Sequence, residues 1–324
     1  MNSDSNFKLN TCAWCDSPKQ HGLVCPNCGA DYAKAEAIKN KGKAEPIIPP
    51  KSEETEGSSF QINTPPIPVK DPGFEKMVCL IALPAMLVIA MLVQITGFLA
   101  GMQRIVFGMP VHEMGHAVTG WLCGFNSIPS LWVTVSSGER GYISSIVVLT
   151  ALLMLARYAL MNKKPAWLIP AIIIFLIQIY GTLIISENTA DMLITVGGDA
   201  MGLILATVLM VIFYLGKDTQ LYKGSLRWGF LAIGAAAFMD IFTPWYNRDI
   251  SAIGYGMTGN IHTDSFKMIN IHLWQWDSLF TLHNTIGYSC LLAVVCAYCL
   301  GMKQANRWVK EKARQDRLKS IRNT

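Results

Sequence analysis

The chain has 324 residues and a net charge of +5, and 52% of its residues are hydrophobic while only 15% are charged. Soluble proteins carry about 25% charged residues, so this composition excludes an ordinary soluble domain. Repeated apolar runs of about 20 residues instead indicate a polytopic membrane protein in contact with membrane lipid. Much of the basic excess lies next to these runs, which is typical of cytosolic membrane flanks and argues against nucleic acid as a partner.

The N-terminal segment, residues 10–32, contains two C-x-x-C pairs separated by nine residues. The four cysteines are Cys12, Cys15, Cys25 and Cys28. Four thiolates at this spacing can surround one ion as a tetrahedron, which predicts a small zinc ribbon with a structural Zn²⁺ and no open coordination position. Two disulfides are the alternative in an oxidising compartment, but the Lys-rich flanks favour a reducing cytosol.

Residues 33–73 are rich in proline, serine and lysine and show no apolar periodicity. A segment of this composition cannot bury enough apolar surface to fold alone, so it is predicted to be a disordered linker. It would tether the ribbon to a membrane domain over residues 74–302. The last segment, residues 303–324, has eight Lys/Arg against two acidic residues and is predicted to be a basic tail in solvent or against anionic headgroups.

Seven apolar runs in the membrane domain predict an all-α polytopic fold with six or seven transmembrane helices. The runs cover about 77–100, 104–125, 142–161, 167–185, 196–215, 226–242 and 285–302. If the chain has seven spans, the distribution of basic residues places the N-terminus outside the cytosol. A zinc ribbon instead favours a cytosolic N-terminus. Counts of six and of seven spans therefore both stay open. With either count, the end of the second run and the start of the fifth face the same side of the membrane.

A stretch of alternating, partly β-branched residues follows the second run, at residues 128–138. This pattern predicts a strand or a short β-hairpin rather than a helix. An open strand edge beside an active site could pair with an unwound substrate. The alternative is a connecting loop.

The sequence His112-Glu113-Met114-Gly115-His116 lies inside the second apolar run. In a helix, residues four apart share one face, so His112 and His116 can bind the same zinc ion. Glu113 follows the first histidine and is placed to act as a general base on a water molecule. Ionisable residues at membrane depth are costly, so their occurrence together indicates a function.

A catalytic zinc ion needs a third protein ligand beside an open position for water. Asp199 is the preferred candidate, because it follows Gly197 and Gly198 at the predicted start of the fifth span, where another backbone can approach closely. It could instead be a helix N-cap. The other candidates are Asp191, Glu187 and, more remotely, Asp240, His262, His272 and His283.

The H-E-M-G-H-A sequence, the strand-like stretch after it and the later aspartate together resemble the site-2 protease family of intramembrane zinc metalloproteases. The resemblance covers about residues 104–215, a third of the chain. It implies that one catalytic zinc ion is bound by His112, His116 and Asp199. It also implies that Glu113 is the catalytic base.

The chain departs from this family at one motif. The usual aspartate sequence, N-P-x-P-x-x-D-G, is absent, and Gly197-Gly198-Asp199 stands in its place. A bacterial branch of such membrane proteins combines H-E-x-G-H-A with an I-P-containing strand, a G-G-acid and a late polar segment. Ile128-Pro129, the Gly-Gly-Asp sequence and residues 259–266 match these features, and this likeness implies the bacterial inner (plasma) membrane.

The residues are compatible with three functions, and a metal-ion transporter ranks behind them because few ionisable residues other than Arg157, Asp199 and Asp240 lie in the predicted spans. The first is an intramembrane zinc-dependent endopeptidase that cleaves a membrane-associated protein or peptide, such as a transmembrane segment. The second is a metallopeptidase similar to the CAAX prenyl proteases, which use a glutamate in E-x-x-x-D, a spacing found from Glu187 to Asp191. The third is a non-catalytic membrane scaffold or sensor whose zinc ribbon docks a partner. The first is preferred, because the CAAX-type ligand normally lies in a sizeable soluble domain.

Overall fold

The computed structural model describes residues 17–18, 24–28, 32, 72–215, 226–253 and 263–323. The chain divides into two compact units, Met1–Asn63 and Thr64–Thr324. Most of the first unit lies outside the described residues, and so do two of the four ribbon cysteines, Cys12 and Cys15. The predicted linker lies outside them up to residue 71.

The second unit is built from α-helices and one β-hairpin. The helices are α1 (Pro72–Gln94), α2 (Gly97–Gln103), α3 (Met109–Leu122), α4 (Ile143–Met161), α5 (Pro165–Ile179), α6 (Glu187–Ile212), α7 (Leu226–Asn247), α8 (Ile250–Ile253), α9 (Asp264–Asn270) and α10 (Trp276–Asn323). The strands β1 (Phe125–Pro129) and β2 (Thr134–Arg140) lie between α3 and α4. A π-helical turn at Arg104–Gly108 joins α2 to α3, and another at Tyr180–Ile184 extends α5.

Six helices of the described residues are long and apolar enough to cross a membrane. They are α1, α4, α5 with its π-helical turn, α6, α7 and α10. This fits the predicted all-α polytopic fold and is compatible with an integral membrane protein. The helix α3 alone is shorter than these six. However, residues 97–122 are continuously helical, because α2, the π-helical turn and α3 follow one another without interruption, and this stretch overlaps the second predicted run.

Two helix boundaries differ from the predictions. α6 begins at Glu187 rather than near residue 196, because the Ser186 hydroxyl caps it by accepting a hydrogen bond from the Thr189 backbone N–H at 3.2 Å. The residues between the fourth and fifth predicted runs therefore form the start of α6, and Asp199 lies about three turns inside the helix. α10 continues to Asn323, so the predicted tail is helical.

α6 and α7 form the centre of the bundle. Their facing side chains contribute a large part of a buried apolar cluster, including Leu203, Ala206, Met210, Phe213, Leu231, Phe238 and Ile241. The motif helix α3 crosses α6 where both have glycines: a Cβ atom at Gly115 would lie 2.5 Å from the Gly197 carbonyl oxygen. Glycine at this crossing lets the α3 backbone approach α6, as predicted for the Gly-Gly pair.

β1 and β2 pair in an antiparallel hairpin, with Ile128 opposite Val135. The prediction of a strand or hairpin is therefore confirmed. The Thr134 hydroxyl donates a hydrogen bond of 2.7 Å to the backbone carbonyl of Glu113, which attaches β2 to the motif helix. The tip of the hairpin, residues 131–133, is apolar and more than half exposed.

A buried ion pair joins α1 to α7. Arg227 donates hydrogen bonds of 2.6 Å and 3.1 Å to Glu75, one to each carboxylate oxygen. Replacing Glu75 with glutamine is expected to destabilise the protein by about 3 kcal/mol, because the buried guanidinium loses its counter-charge. Chemical denaturation in detergent micelles measures the effect, with the exposed Glu187→Gln as control. A change below about 0.5 kcal/mol for Glu75→Gln would contradict the importance of the pair.

Candidate metal centre

The H-E-x-x-H motif lies on α3 with its functional side chains buried. His112, Glu113 and His116 expose only 6%, 6% and 9% of their surface. Because the histidines are one helical turn apart, their rings share one face of α3, with centroids 4.7 Å apart and planes nearly perpendicular. Their Nε2 atoms approach to 3.1 Å. The motif thus directs two imidazoles toward one point.

The other nitrogen of each ring is held by an acceptor on α6. His112 Nδ1 donates to Asp199 Oδ1 at 2.7 Å, and His116 Nδ1 donates to the backbone carbonyl of Ile194 at 2.6 Å. A carboxylate and a carbonyl only accept hydrogen bonds, so both Nδ1 atoms carry a proton. In a neutral imidazole the lone pair then lies on Nε2. Both rings are therefore in the tautomer that binds a metal ion through Nε2.

Asp264, the first residue of α9, supplies a third atom. Its Oδ2 lies 3.1 Å from His112 Nε2 and 3.0 Å from His116 Nε2. Its other carboxylate oxygen lies 3.9 Å from the Lys267 ammonium, on the same short helix. Thr263 caps this helix by accepting a hydrogen bond from the backbone at 3.2 Å, which fixes the position of the neighbouring aspartate.

The three converging atoms form a nearly equilateral triangle with sides of 3.0–3.1 Å. Three unshared electron pairs this close repel one another unless a proton or a metal cation lies between them. The triangle has a circumradius of about 1.8 Å, so an ion about 2.0–2.2 Å from each atom, the range of zinc ligands, lies just above its plane. His112, His116 and Asp264 therefore form a candidate metal site.

The donor set narrows the class of metal. Two imidazole nitrogens and one carboxylate favour a divalent transition metal. Mg²⁺ and Ca²⁺ prefer a shell made entirely of oxygen atoms and suit this site less well.

Asp199, the third ligand that the sequence predicts, lies behind the His112 ring. It lies beside His112 but outside the three converging atoms: its Oδ1 accepts from His112 Nδ1, and its Oδ2 accepts from Trp245 Nε1 at 2.9 Å. The Trp245 ring stacks on His283 with centroids 3.7 Å apart. Asp199 thus orients the ring of a candidate metal ligand from behind, a position that carboxylates commonly occupy near metal-binding histidines.

Sequence reasoning misses Asp264. It lies 152 and 148 positions after the two histidines, and no spacing rule connects it to them. The only signal is its place in the late polar segment, residues 259–266, which matches the resemblance but does not by itself indicate a metal ligand.

The remaining predicted candidates lie outside the His–His–Asp cluster, although Asp191 lines the neighbouring cavity. Glu187 is exposed in the first turn of α6. Asp191 lies 3.5 Å from His272, and Asp240 forms a buried ion pair of 2.9 Å with an arginine of the first π-helical turn. His262 lies outside the described residues. None of the candidates with a described position joins the His–His–Asp cluster.

A cavity of about 310 Å³ opens beside the cluster. Glu113 lines it together with the three candidate ligands, and its carboxylate has no hydrogen-bond partner in the part of the chain that the structure describes. Another part of the wall comes from the hairpin and consists of Trp132, Val133, Thr134 and Ser136. A buried carboxylate at the edge of a cavity, beside a metal site, is placed to exchange a proton with water.

Gly198 makes room for both imidazoles. A Cβ atom at this position would lie 2.5 Å from His112 Cε1 and 2.5 Å from His116 Nε2. Gly198→Ala is therefore expected to displace the rings and to weaken metal binding by at least about tenfold. Metal titration of the purified protein measures the change. Gly229→Ala is the matched control, because its Cβ would meet no atom within 4 Å, and equal affinities of the two variants would contradict the prediction.

Two of the ribbon cysteines belong to the described residues. Cys25 is buried and Cys28 is exposed. The Ser17 hydroxyl, 3.5 Å from the Cys25 sulfur, and the backbone N–H groups of Cys28 and Asn27 lower the pKa of Cys25 to about 5 against the effect of burial. The four-cysteine zinc site stays a prediction, since Cys12 and Cys15 are outside the described residues.

Comparisons of the chain with models of protein families, with curated proteins and with solved structures found no match. The chemistry of the site is therefore inferred from its own atoms. These are two Nε2 lone pairs, one carboxylate oxygen between them and a second carboxylate at the cavity.

Proposed function

We propose that the protein is an intramembrane zinc-dependent endopeptidase. One observation carries the proposal: His112, His116 and Asp264 converge beside the unpaired carboxylate of Glu113, in a cavity of a bundle of long apolar helices. Two imidazoles, a carboxylate and a nearby base are the groups that zinc-dependent hydrolysis of a peptide bond uses. The H-E-x-x-H spacing supports the same chemistry.

The residues divide the chemistry between them. His112, His116 and Asp264 would hold the ion, and the Nδ1 partners on α6 would keep the two rings in place. A bound zinc ion supplies a Lewis acid that polarises a carbonyl and lowers the pKa of water. Glu113 accepts a proton from water as the water oxygen attacks the carbonyl carbon. The same carboxyl group then returns the proton to the leaving amine nitrogen as the C–N bond breaks.

The hairpin offers a way to present a substrate. β2 pairs with β1 along one edge, and the described residues place no strand on its other edge. Thr134 and Ser136 of β2 line the cavity. An unwound segment of a transmembrane or membrane-associated protein could add to this edge through main-chain hydrogen bonds, which would bring its peptide bonds toward Glu113.

The proposal keeps the resemblance to the site-2 protease family with one change. The resemblance implies Asp199 as the third ligand, whereas the distances favour Asp264 as the ligand and Asp199 as the partner of His112. A site similar to that of the CAAX prenyl proteases would need Glu187 near the histidines, and this residue is exposed at the start of α6. The bacterial inner membrane is proposed from the resemblance alone.

The zinc content of the purified protein tests the proposal. Two zinc ions per chain are expected, one in the ribbon and one at the cavity. His112→Ala is expected to remove the zinc ion at the cavity. The double variant Cys25→Ser with Cys28→Ser is expected to remove the zinc ion of the ribbon. Elemental mass spectrometry measures both losses. A single zinc ion that is lost only with the cysteines would overturn the proposal and favour the non-catalytic scaffold or sensor.

A further inference from the structure

The part of α10 beyond the last apolar run carries five cations on one face. They are Lys303, Arg307, Lys310, Arg314 and Arg317, which follow one another at alternating intervals of four and three residues. At 3.6 residues per turn, this spacing confines them to about 80° of the helix circumference. At 1.5 Å per residue, they form a straight line about 21 Å long. These five residues are called the basic stripe.

The basic stripe faces solvent. All five side chains are exposed, and none forms an ion pair within the part of the chain that the structure describes. The two acidic residues of this segment, Glu311 and Asp316, lie about 80° and 140° from the centre of the stripe. The charge of the stripe is therefore not neutralised by its own helix.

Membrane topology does not require this arrangement. Basic residues beside a span fix its orientation by their number and their closeness to the bilayer, whichever helix face they occupy. If the bilayer ends with the last apolar run, headgroups reach only the beginning of the stripe, because α10 continues as one helix and the field of a membrane decays within about 8–10 Å. No separate apolar face would hold the segment on a membrane, since the exposed Leu318 and Ile321 lie on the cationic side.

A nucleic acid duplex is a poorer match. A helix in the major groove has phosphates on both sides and needs cations around much of its circumference. In that position Glu311 and Asp316 would face the groove and repel phosphates. Only three of the eight cations of this segment, Lys312, Lys319 and Arg322, lie away from the basic stripe, so most of its charge forms a single line, which is complementary to a single line of anions.

We infer that the basic stripe docks an acidic α-helix of a partner protein. Carboxylates at the same intervals of four and three residues repeat about every 5 Å, the repeat of the stripe, so the opposite charges stay in register along its length. An extended strand with an acidic residue at every second position repeats about every 6.6 Å and loses this register. Each exposed ion pair contributes little, so the docking is weak alone and falls with salt.

Binding of a synthetic acidic helix to the full chain tests the inference. The probe is a fluorescent alanine-rich peptide with glutamates at intervals of four and three residues. A control peptide of the same composition distributes its glutamates around the helix. Fluorescence anisotropy with the protein in nanodiscs of zwitterionic lipid is expected to show about fivefold tighter binding of the patterned peptide at low salt.

A matched pair of double variants tests the face. The first double variant, Lys310→Gln with Arg317→Gln, removes two charges from the stripe. The second, Lys312→Gln with Lys319→Gln, removes two charges from the opposite side of the helix. In each variant the two residues are seven positions apart. The first change should weaken binding of the patterned peptide about fivefold and the second less than about twofold. Equal losses, equal affinity for the two peptides, or tighter binding of single-stranded RNA or of phosphatidylglycerol vesicles would overturn the inference.

Discussion

Replacement of Glu113 by glutamine is expected to lower peptide-bond cleavage by about 10²–10⁴-fold while the metal content stays unchanged. Glutamine keeps the size of the side chain but cannot accept the proton, and Glu113 is not among the three converging atoms. Cleavage of a panel of transmembrane peptides in proteoliposomes and elemental mass spectrometry of the same preparation measure the two effects.

Glu187→Gln is the control for this experiment. The substitution makes the same chemical change at an exposed position, so unchanged cleavage and unchanged metal content are expected. Loss of metal in Glu187→Gln would instead favour a site similar to that of the CAAX prenyl proteases. Full cleavage by Glu113→Gln would remove this residue from the role of general base.

Asparagine substitutions at Asp264 and Asp199 are expected to show which residue is a metal ligand, Asp264, and which one supports a ligating histidine, Asp199. Asp199→Asn should weaken metal binding by about 10–100-fold, the usual effect of a lost partner behind a ligating histidine. Asp264→Asn should weaken it more, because the anionic oxygen between the two Nε2 atoms is lost. Competition with a chelator of known affinity measures both variants.

The two substitutions are matched in size and charge, so their order is informative. If Asp199→Asn loses the metal while Asp264→Asn keeps it, the third ligand is the one that the family resemblance implies. If neither variant changes the affinity, the metal site lies elsewhere in the chain.

Local features of the site follow from the sequence because they depend on short-range geometry. The interval between His112 and His116 is one helical turn, which determines that their rings share a face. The Gly197-Gly198 pair indicates a close helix crossing because only glycine leaves the space, and alternation at residues 128–138 indicates a strand pair. These three features could be predicted without any knowledge of the tertiary fold.

The third converging atom could not be predicted, because its place depends on the packing of the whole bundle. Asp264 reaches the histidines only after α6 and α7 bring the later chain back over α3. The start of α6 also differs from the prediction, because its first turn is polar and does not extend the apolar run. The sequence signal for this start is the N-cap residue Ser186, whose hydroxyl accepts a hydrogen bond from the Thr189 backbone N–H.

The position of Asp264 on α9 has a mechanical consequence. An ion shared by Asp264 and His116 would cross-link segments that are 148 residues apart in the chain. Unlike a disulfide, such a cross-link is absent from the unfolded chain, so it stabilises the folded state through the free energy of ion binding. Loss of the ion would remove the link between α9 and α3, while Met268 keeps α9 packed against the apolar core and the glycine crossing of α3 and α6 stays packed. The site would therefore lose its third corner without unfolding of the bundle.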